Sequence, residues 1–223
     1  MKSHVHGCAE EAAPATAGGT IRRARLYDLG FTLLFGLDRR LWSMVLELAG
    51  VKPGDSVLDV GCGPGRLARA AGVAVGPGGE AYGIDAAPEM IEVARRKAAR
   101  SRANVHFQVG LIEEMPFEDG RFDIVVNTLV MHHLPEDVKR KGLAEVRRVL
   151  KPGGRFVAVD IRSPGTGPHA LLAHLFVGHH MGQSDIGDAV EIMNAAGFTA
   201  TSTGRAPINW FSFARGTAGA SSD

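Results

Sequence analysis

Short apolar runs, rich in β-branched residues, alternate along the chain with longer segments of helical composition. Strands are predicted over Ser56 to Val60, Glu80 to Asp85, Val105 to Val109, Phe122 to Thr128 and Arg155 to Ile161. Runs that are apolar on both faces are typical of parallel strands covered by helices on each side. Helices are predicted between them, over Arg66 to Val75, Pro88 to Ser101 and Glu136 to Leu150. The alternation predicts an α/β fold with a doubly wound parallel sheet, whose ligand site lies at the carboxyl ends of the strands.

The two ends of the chain differ in composition from this regular part. Residues 1–20 are rich in Ala, Gly, Pro and Thr, and residues 217–223 are similar, so both are expected to be disordered tails. We expect one domain between them, over 21–216. It closes with a helix near Asp185 to Ala196 and two strands, Phe198 to Thr203 and Asn209 to Ala214.

Length and charge exclude several classes of function. The chain has 223 residues and a formal net charge of +1, so no large basic surface is expected to hold a nucleic acid. No apolar run reaches the ~18 residues that cross a bilayer, and acidic residues occupy the place of a signal peptide's apolar stretch. The two cysteines, Cys8 and Cys62, do not suggest a disulfide framework. A cytoplasmic protein is expected.

The stretch VLDVGCGPGRLA, Val57 to Ala68, predicts a ligand-binding turn between a strand and a helix. Gly61, Gly63 and Gly65 allow a sharp turn and a close approach of the backbone to a ligand. Arg66 stands where a dinucleotide fingerprint has its last glycine, and no phosphate-loop Lys follows. The spacing therefore disfavours a pyrophosphate.

Two carboxylates near this turn indicate the chemistry of the ligand. Asp59, within the first strand, would repel phosphate but suits a positively charged amino group. Asp85 ends the second strand, where a carboxylate can accept hydrogen bonds from both ribose hydroxyls. Together they favour a nucleoside that carries a cationic group.

Four motifs, taken in order, resemble those of the class I S-adenosylmethionine-dependent methyltransferases. They are VLDVGCGPG, YGIDAAPEMIEVAR, VGLIEEMPFEDGRFDIVVNTLVMHHLPE and EVRRVLKPGGRFVAVD. The resemblance extends from about Tyr27 to Arg215. It implies a Rossmann-like fold with a mostly parallel seven-stranded sheet, and S-adenosylmethionine as the cofactor, which becomes S-adenosylhomocysteine.

The resemblance also implies which residues surround the cofactor. Asp59, Gly61, Gly63 and Gly65 would lie around its methionine part and Asp85 at its ribose, and Asn127 would line the methionine end through its backbone. Relatives often carry Asp or Asn after Gly110 to bind adenine, but this chain has Leu111, so backbone groups there are expected to act instead. The remaining positions assigned to the cofactor site are Tyr27, Cys62, Ala86, Met90 and Ile112.

The segment before the glycine turn further resembles the ubiquinone and menaquinone C-methyltransferases. Those enzymes place a Tyr-Asp pair and an Arg-Leu-Trp triplet at similar offsets, here Tyr27 with Asp28 and Arg40 to Trp42. The segment 21–50 could form a helical cap over the cofactor, with Tyr27 in the pocket. Alternatively, its apolar residues simply pack a helix on the core. The segment 163–183 is expected to form a wall of the acceptor pocket.

His132 and His133 follow the fourth strand, where a side chain would face the active site. Either histidine could be a general base for a phenol or an enolisable carbon, with His132 preferred, or could only shape the pocket. In the segment 163–183, His169, His174 and His179 follow at intervals of five residues, a spacing that does not favour a metal site, and no metal is expected.

We therefore expect a methyltransferase for a small, largely apolar acceptor, either a quinone or lipid precursor or a secondary metabolite. The methylated atom, carbon, oxygen or nitrogen, stays open, and so does assembly as a homodimer. Two alternatives are a catalytically silent cofactor-binding protein and a nicotinamide-dependent oxidoreductase. Arg66 and the lack of a catalytic Tyr-x-x-x-Lys count against the oxidoreductase.

Overall fold

The computed structural model describes residues 38–101, 103–161, 186–208 and 211–219. The first half contains α1 (Asp38–Ala49), β1 (Ser56–Val60), α2 (Arg66–Ala74), β2 (Glu80–Asp85), α3 (Pro88–Ala98) and β3 (Val105–Val109). The second half contains β4 (Phe122–Thr128), a 3₁₀ turn (Met131–His133), α4 (Glu136–Val149), β5 (Leu150–Ile161), α5 (Ile186–Ala195), β6 (Phe198–Arg205) and β7 (Phe211–Ala218).

The strands form one seven-stranded sheet in the order β3-β2-β1-β4-β5-β7-β6. The first five strands in this order, β3-β2-β1-β4-β5, pair in parallel. Strand β7 pairs antiparallel with both β5 and β6. The predicted doubly wound, mostly parallel fold is therefore confirmed. The strand order reverses at β1, between β2 and β4, and this is the place where such sheets bind ligands.

Both faces of the sheet are buried, which explains the apolar character of its strands. All five residues of β1 are buried. Leu58 belongs to the hydrophobic cluster on one face, with α4 and α5. Val57 belongs to the cluster on the opposite face, with α1 and α2. Side chains that alternate along the strand thus enter two different cores.

Every predicted helix and strand within the described residues is present, but several boundaries differ: the helix predicted to reach Ser101 ends at Ala98, and the strand predicted over Asn209 to Ala214 is Phe211–Ala218. Helix α4 ends at Val149, as the sequence 151–154 predicts, but β5 already begins at Leu150 and pairs with Phe122 before a register shift. The predicted tail from residue 217 is wrong at its start, because Thr217 pairs with Arg155 and Ala218 with Phe198. Small residues fit there because the Met193 side chain occupies the adjacent space. A Cβ on the neighbouring Gly216 would lie 2.7 Å from that side chain.

Helix α1 lies in the part of the expected N-terminal cap, 21–50, that the structure describes. Its Leu41 and Val45 are 1% and 0% exposed and pack in the same cluster as Val157 and Phe211. The interpretation as a packed helix is confirmed for these side chains. Among the described residues, we find no helix with the length and apolarity that a bilayer crossing requires.

Candidate functional site

A cleft that is open to solvent lies where β1 and β4 end, beside α1. The turn after β1, the start of α2 and the end of β4 form its walls, and Trp42 of α1 closes one side. The lining residues are Trp42, Asp59, Gly61, Cys62, Gly63, Pro64, Arg66, Leu67, Thr128 and Leu129.

Backbone hydrogen bonds fix the glycine turn to the neighbouring strand. The N–H groups of Gly61 and Cys62 both donate to the carbonyl oxygen of Ile84, at 2.8 and 2.9 Å. The Gly63 N–H donates to Oδ2 of Asp85 at 2.9 Å. The turn is therefore held against the end of β2 before any ligand binds.

The three glycines of the turn are required for different reasons, although all have positive φ angles. A Cβ on Gly61 would collide with the side chain of Val130. A Cβ on Gly65 would lie 2.6 Å from Phe107 and 2.9 Å from Ala94. A Cβ on Gly63 would meet no heavy atom of the described residues within 4 Å. Gly61 and Gly65 thus serve packing, and Gly63 faces open space, as a close approach to a ligand requires.

Asp59 is a buried acid at the floor of the cleft, with 2% of its surface exposed. Its Oδ2 accepts a hydrogen bond from the Ala68 N–H at 3.0 Å, at the start of α2. Burial raises the pKa of Asp59 to about 8, and the negative charge of Asp85 adds to this. A cationic group in the cleft would favour the ionised carboxylate, so Asp59 is suited to bind one.

Asp85 connects β2, the glycine turn and α3. Besides the bond from Gly63, its Oδ1 accepts the Ala87 N–H at 2.9 Å. Burial raises its pKa, although both hydrogen bonds oppose that shift. Each carboxylate oxygen keeps a further lone pair, which a ligand hydroxyl could use.

Unsatisfied polar atoms gather at the end of β4. Asn127 donates from Nδ2 to the Val60 carbonyl at 2.9 Å. Its buried Oδ1, and the buried Oγ1 of Thr128, have no hydrogen-bond partner among the residues that the structure describes. Thr128 lines the cleft, and Leu129 follows with a φ of 62° that is unfavourable for leucine. Buried polar atoms without partners beside a cleft are available to a ligand.

His132 lies in the 3₁₀ turn after β4 and is held by Asp160 of β5. Its Nδ1 is 2.6 Å from Oδ1 of Asp160, and its backbone N–H donates to Oδ2 at 3.0 Å. The ring centroids of His132 and His133 are 3.8 Å apart. Of the two predicted histidines, His132 thus has a buried carboxylate partner.

The other predicted site residues take different places. Leu111 forms an isolated bridge with Glu114, and Met90 packs with Ala87 and Val93. Ile112 packs in the core, where its side chain occupies the space beside Gly142. None of these, nor Ala86, lines the described cleft. Tyr27 and the segment 163–183, with its histidines, lie outside the described residues.

The prediction of site residues omitted several that the structure brings to the cleft or its edge. Trp42, Arg66, Leu67, Thr128 and Leu129 line the cleft, and Asp160 holds His132. A signal was present for Thr128 and Asp160, since each is a polar residue near the carboxyl end of a parallel strand. The packing of α1 that brings Trp42 to the cleft has no such local signal. No group of three metal-ligating side chains occurs in the described part of the chain.

Comparison with known sequences identifies a methyltransferase domain over residues 57–154. The chain is similar to a ubiquinone/menaquinone biosynthesis C-methyltransferase of Ectopseudomonas mendocina, with 36% identity over 156 residues, 69% of this chain and 59% of that protein. It is also 37% identical to the demethylmenaquinone methyltransferase of Staphylococcus aureus over 142 residues, 63% of this chain and 58% of that one. The chain spans about three fifths of the length of these curated relatives.

Comparison with solved structures gives the same fold. A SAM-dependent methyltransferase from Aquifex aeolicus superposes with a TM-score of 0.65 at 24% identity, over 86% of this chain and 95% of that one. The predicted Rossmann-like architecture is thereby confirmed a second time.

Proposed function

Because the chain carries a methyltransferase domain on the corresponding fold, we propose that it is an S-adenosylmethionine-dependent methyltransferase for a small, largely apolar acceptor. The observation that carries the proposal is the open space beside Gly63. The hydrogen bond from the Gly63 N–H to Asp85 holds the turn in this position. Backbone that a ligand can approach closely lies there beside a carboxylate suited to a ribose. Asp59 adds a site for a cationic group in the same cleft.

Residues in the cleft and beside it fit the parts of this cofactor, although Asp85 and Asn127 do not themselves line the described cleft. Asp85 would bind the ribose hydroxyls, and Asp59 the amino group of the methionine end. Asn127 Oδ1 and Thr128 Oγ1 have no hydrogen-bond partner among the described residues. They would form further polar contacts with the methionine end. Met90, Leu111 and Ile112 lie beyond Asp85 along the chain, and we assign them, with Ala86, to the adenine side.

When bound, this cofactor supplies an activated methyl group on a positively charged sulfur, so the protein has mainly to align the acceptor. Trp42, Leu67 and Leu129 give the cleft an apolar wall. Such a wall excludes water and suits an apolar acceptor. An aromatic ring in the cleft would also favour a cation, through the negative face of its π system.

The acceptor class is proposed from the relatives. The matched relatives are named for the methylation of ubiquinone and menaquinone precursors. A quinone-like or lipid precursor fits the apolar wall, and an apolar secondary metabolite would fit it equally well. We assign His132 the role of general base, with His133 as its neighbour in the pocket wall. The amino-terminal cap and the segment 163–183 would complete that pocket.

Mass spectrometry of a labelled product tests this function. The purified protein is incubated with S-adenosylmethionine that carries a deuterated methyl group and with an extract of its source cells. We expect a small apolar product that gains the labelled methyl group with wild type and not with Asp85→Ala. A folded protein that binds the cofactor and labels nothing would instead be the silent cofactor-binding alternative.

A further inference from the structure

The carboxylate of Asp160 holds one residue, His132, at two points. Oδ1 contacts the ring nitrogen Nδ1 at 2.6 Å, and Oδ2 accepts the backbone N–H at 3.0 Å. The exposed fractions of the two side chains are 12% for His132 and 6% for Asp160. A short, doubly anchored and nearly buried contact fixes both the position and the rotation of the imidazole ring.

The hydrogen bonds of Asp160 bear on which ring nitrogen of His132 carries the proton. Its Oδ1 accepts a third bond, from the Ile161 N–H at 2.8 Å. A carboxylate that accepts two backbone N–H groups is suited to accept the Nδ1 proton as well. The lone pair of the neutral imidazole is then on Nε2, the nitrogen that is free to take a proton.

Charged groups from other elements surround the pair. Lys139 of α4 is 8% exposed and interacts electrostatically with Asp160, Glu136 and Asp188. The His133 ring stacks on His132 from the same 3₁₀ turn. The carboxylate therefore interacts with a cation as well as with the imidazole, within a largely buried region.

The pair lies at the carboxyl ends of β4 and β5 and does not itself line the described cleft. Leu129, which lines the cleft, donates its N–H to the Val159 carbonyl at 2.9 Å, next to Asp160. Val130 packs against Gly61 of the glycine turn. The segment that carries His132 is thus anchored both to β5 and to the turn.

We propose that Asp160 is a positioning residue that keeps His132 in the Nδ1-protonated form, so that Nε2 removes a proton from the acceptor. The inference rests on the proposed function and narrows it, because only an acceptor with a weakly acidic O–H or C–H needs a base. The new bond joins the methyl carbon to that oxygen or carbon, and the bond to sulfur breaks with its electrons left on sulfur. The acceptor's proton goes to Nε2 and then to solvent.

The first test measures the tautomer directly. In protein with ¹⁵N-labelled histidine, NMR above pH 8 should show His132 protonated at Nδ1 and not at Nε2. Asp160→Asn should lose this preference, because an amide can either accept from Nδ1 or donate to it. The control Asp188→Asn removes a carboxylate that interacts with Lys139 but does not contact His132, and it should leave the tautomer unchanged. A wild-type His132 protonated at Nε2 would overturn the proposal.

The second test measures the rate at which label enters the product of the cell extract. Asp160→Asn should lower the rate at saturating acceptor by about a hundredfold, the scale of general-base catalysis, with little change in KM. An unchanged rate in folded Asp160→Asn would contradict the proposal.

The labelled atom separates this inference from the function on which it rests. Label on oxygen or carbon supports the role of the pair, whereas label on an amine nitrogen overturns it and leaves the methyltransferase function intact. If wild type labels nothing, the proposed function fails, and the tautomer measurement still decides whether Asp160 sets the form of His132.

Discussion

Asp85, the last residue of β2, accepts a hydrogen bond from the backbone N–H of Gly63 in the turn after β1, at 2.9 Å. One carboxylate therefore shapes the turn and, under the proposed function, would also bind the ribose. Loss of this side chain should weaken the cofactor site in two ways, by removing a ligand contact and by releasing the turn.

Asp85→Ala should weaken binding of S-adenosylhomocysteine by about 1.5–3 kcal/mol, the scale of hydrogen bonds to a charged group. Calorimetry measures the change. Glu89→Ala is the matched control, because it removes an exposed carboxylate from the nearby first turn of α3. Equal affinities of Asp85→Ala and wild type would exclude Asp85 from the site.

Substitution of two glycines separates ligand contact from packing. Gly63→Ala places its methyl group in open space and should cost about 1–2 kcal/mol in backbone strain. It should also weaken S-adenosylhomocysteine about tenfold or more, because the methyl group occupies space that the ligand needs. Gly65→Ala collides with Phe107 and Ala94, so its free energy of unfolding should fall further, by overpacking. Denaturant unfolding measures the loss of stability, and calorimetry measures the affinity for S-adenosylhomocysteine. Equal losses of stability and of affinity in the two variants would refute the separate roles of Gly63 and Gly65.

Asp59→Asn should stabilise the protein more at pH 8 than at pH 5. Burial raises the pKa of Asp59 to about 8, so between its ordinary value near ~3.9 and 8 the folded protein holds a proton that the unfolded chain releases. The free energy of unfolding of wild type therefore falls as pH rises through this window. The amide cannot ionise and avoids that loss, while its oxygen can still accept the Ala68 N–H.

Urea unfolding of wild type and Asp59→Asn at both pH values measures this effect. The stabilisation by Asp59→Asn should be larger at pH 8 than at pH 5 by more than about 1.4 kcal/mol, the equivalent of one pKa unit. Asp123→Asn is a control of opposite sign. Burial opposes ionisation of Asp123, but hydrogen bonds from Lys151 and Ser56 outweigh it and lower its pKa. Its contribution to stability is therefore present at neutral pH and lost on acidification. A pH-independent difference for Asp59→Asn would mean that Asp59 is ionised in the fold.

His132→Ala should lower the rate of label transfer at saturating acceptor by about a hundredfold, because it removes the base. S-adenosylhomocysteine affinity should hardly change. His133→Ala removes the stacked neighbour and should mainly weaken acceptor binding. Single-turnover rates and KM of both folded variants distinguish the roles. If both retain the wild-type rate, alignment and water exclusion are left as the mechanism.

The sequence predicted the parallel strands well because their burial on both faces requires consecutive apolar residues, as in Ile124 to Val126 of β4. It also located the glycine turn. It could not assign the separate roles of the glycines, because these depend on Phe107 and Val130, which reach the turn through the fold. The same holds for Asp160, which lies 28 residues from His132.

Errors at the end of the chain have a similar origin. Residues 216–218 are small and resemble a tail in composition, but β5 offers them an edge to pair with. Local composition describes what a segment could do alone, whereas strand pairing depends on a partner distant in the sequence.

Calorimetric titration of the purified protein with S-adenosylmethionine, S-adenosylhomocysteine and NAD tests the central claim most directly. The account predicts that the first two bind and that NAD does not, because the turn lacks the last glycine of a dinucleotide fingerprint. Tight binding of NAD, with none of S-adenosylmethionine, would contradict it.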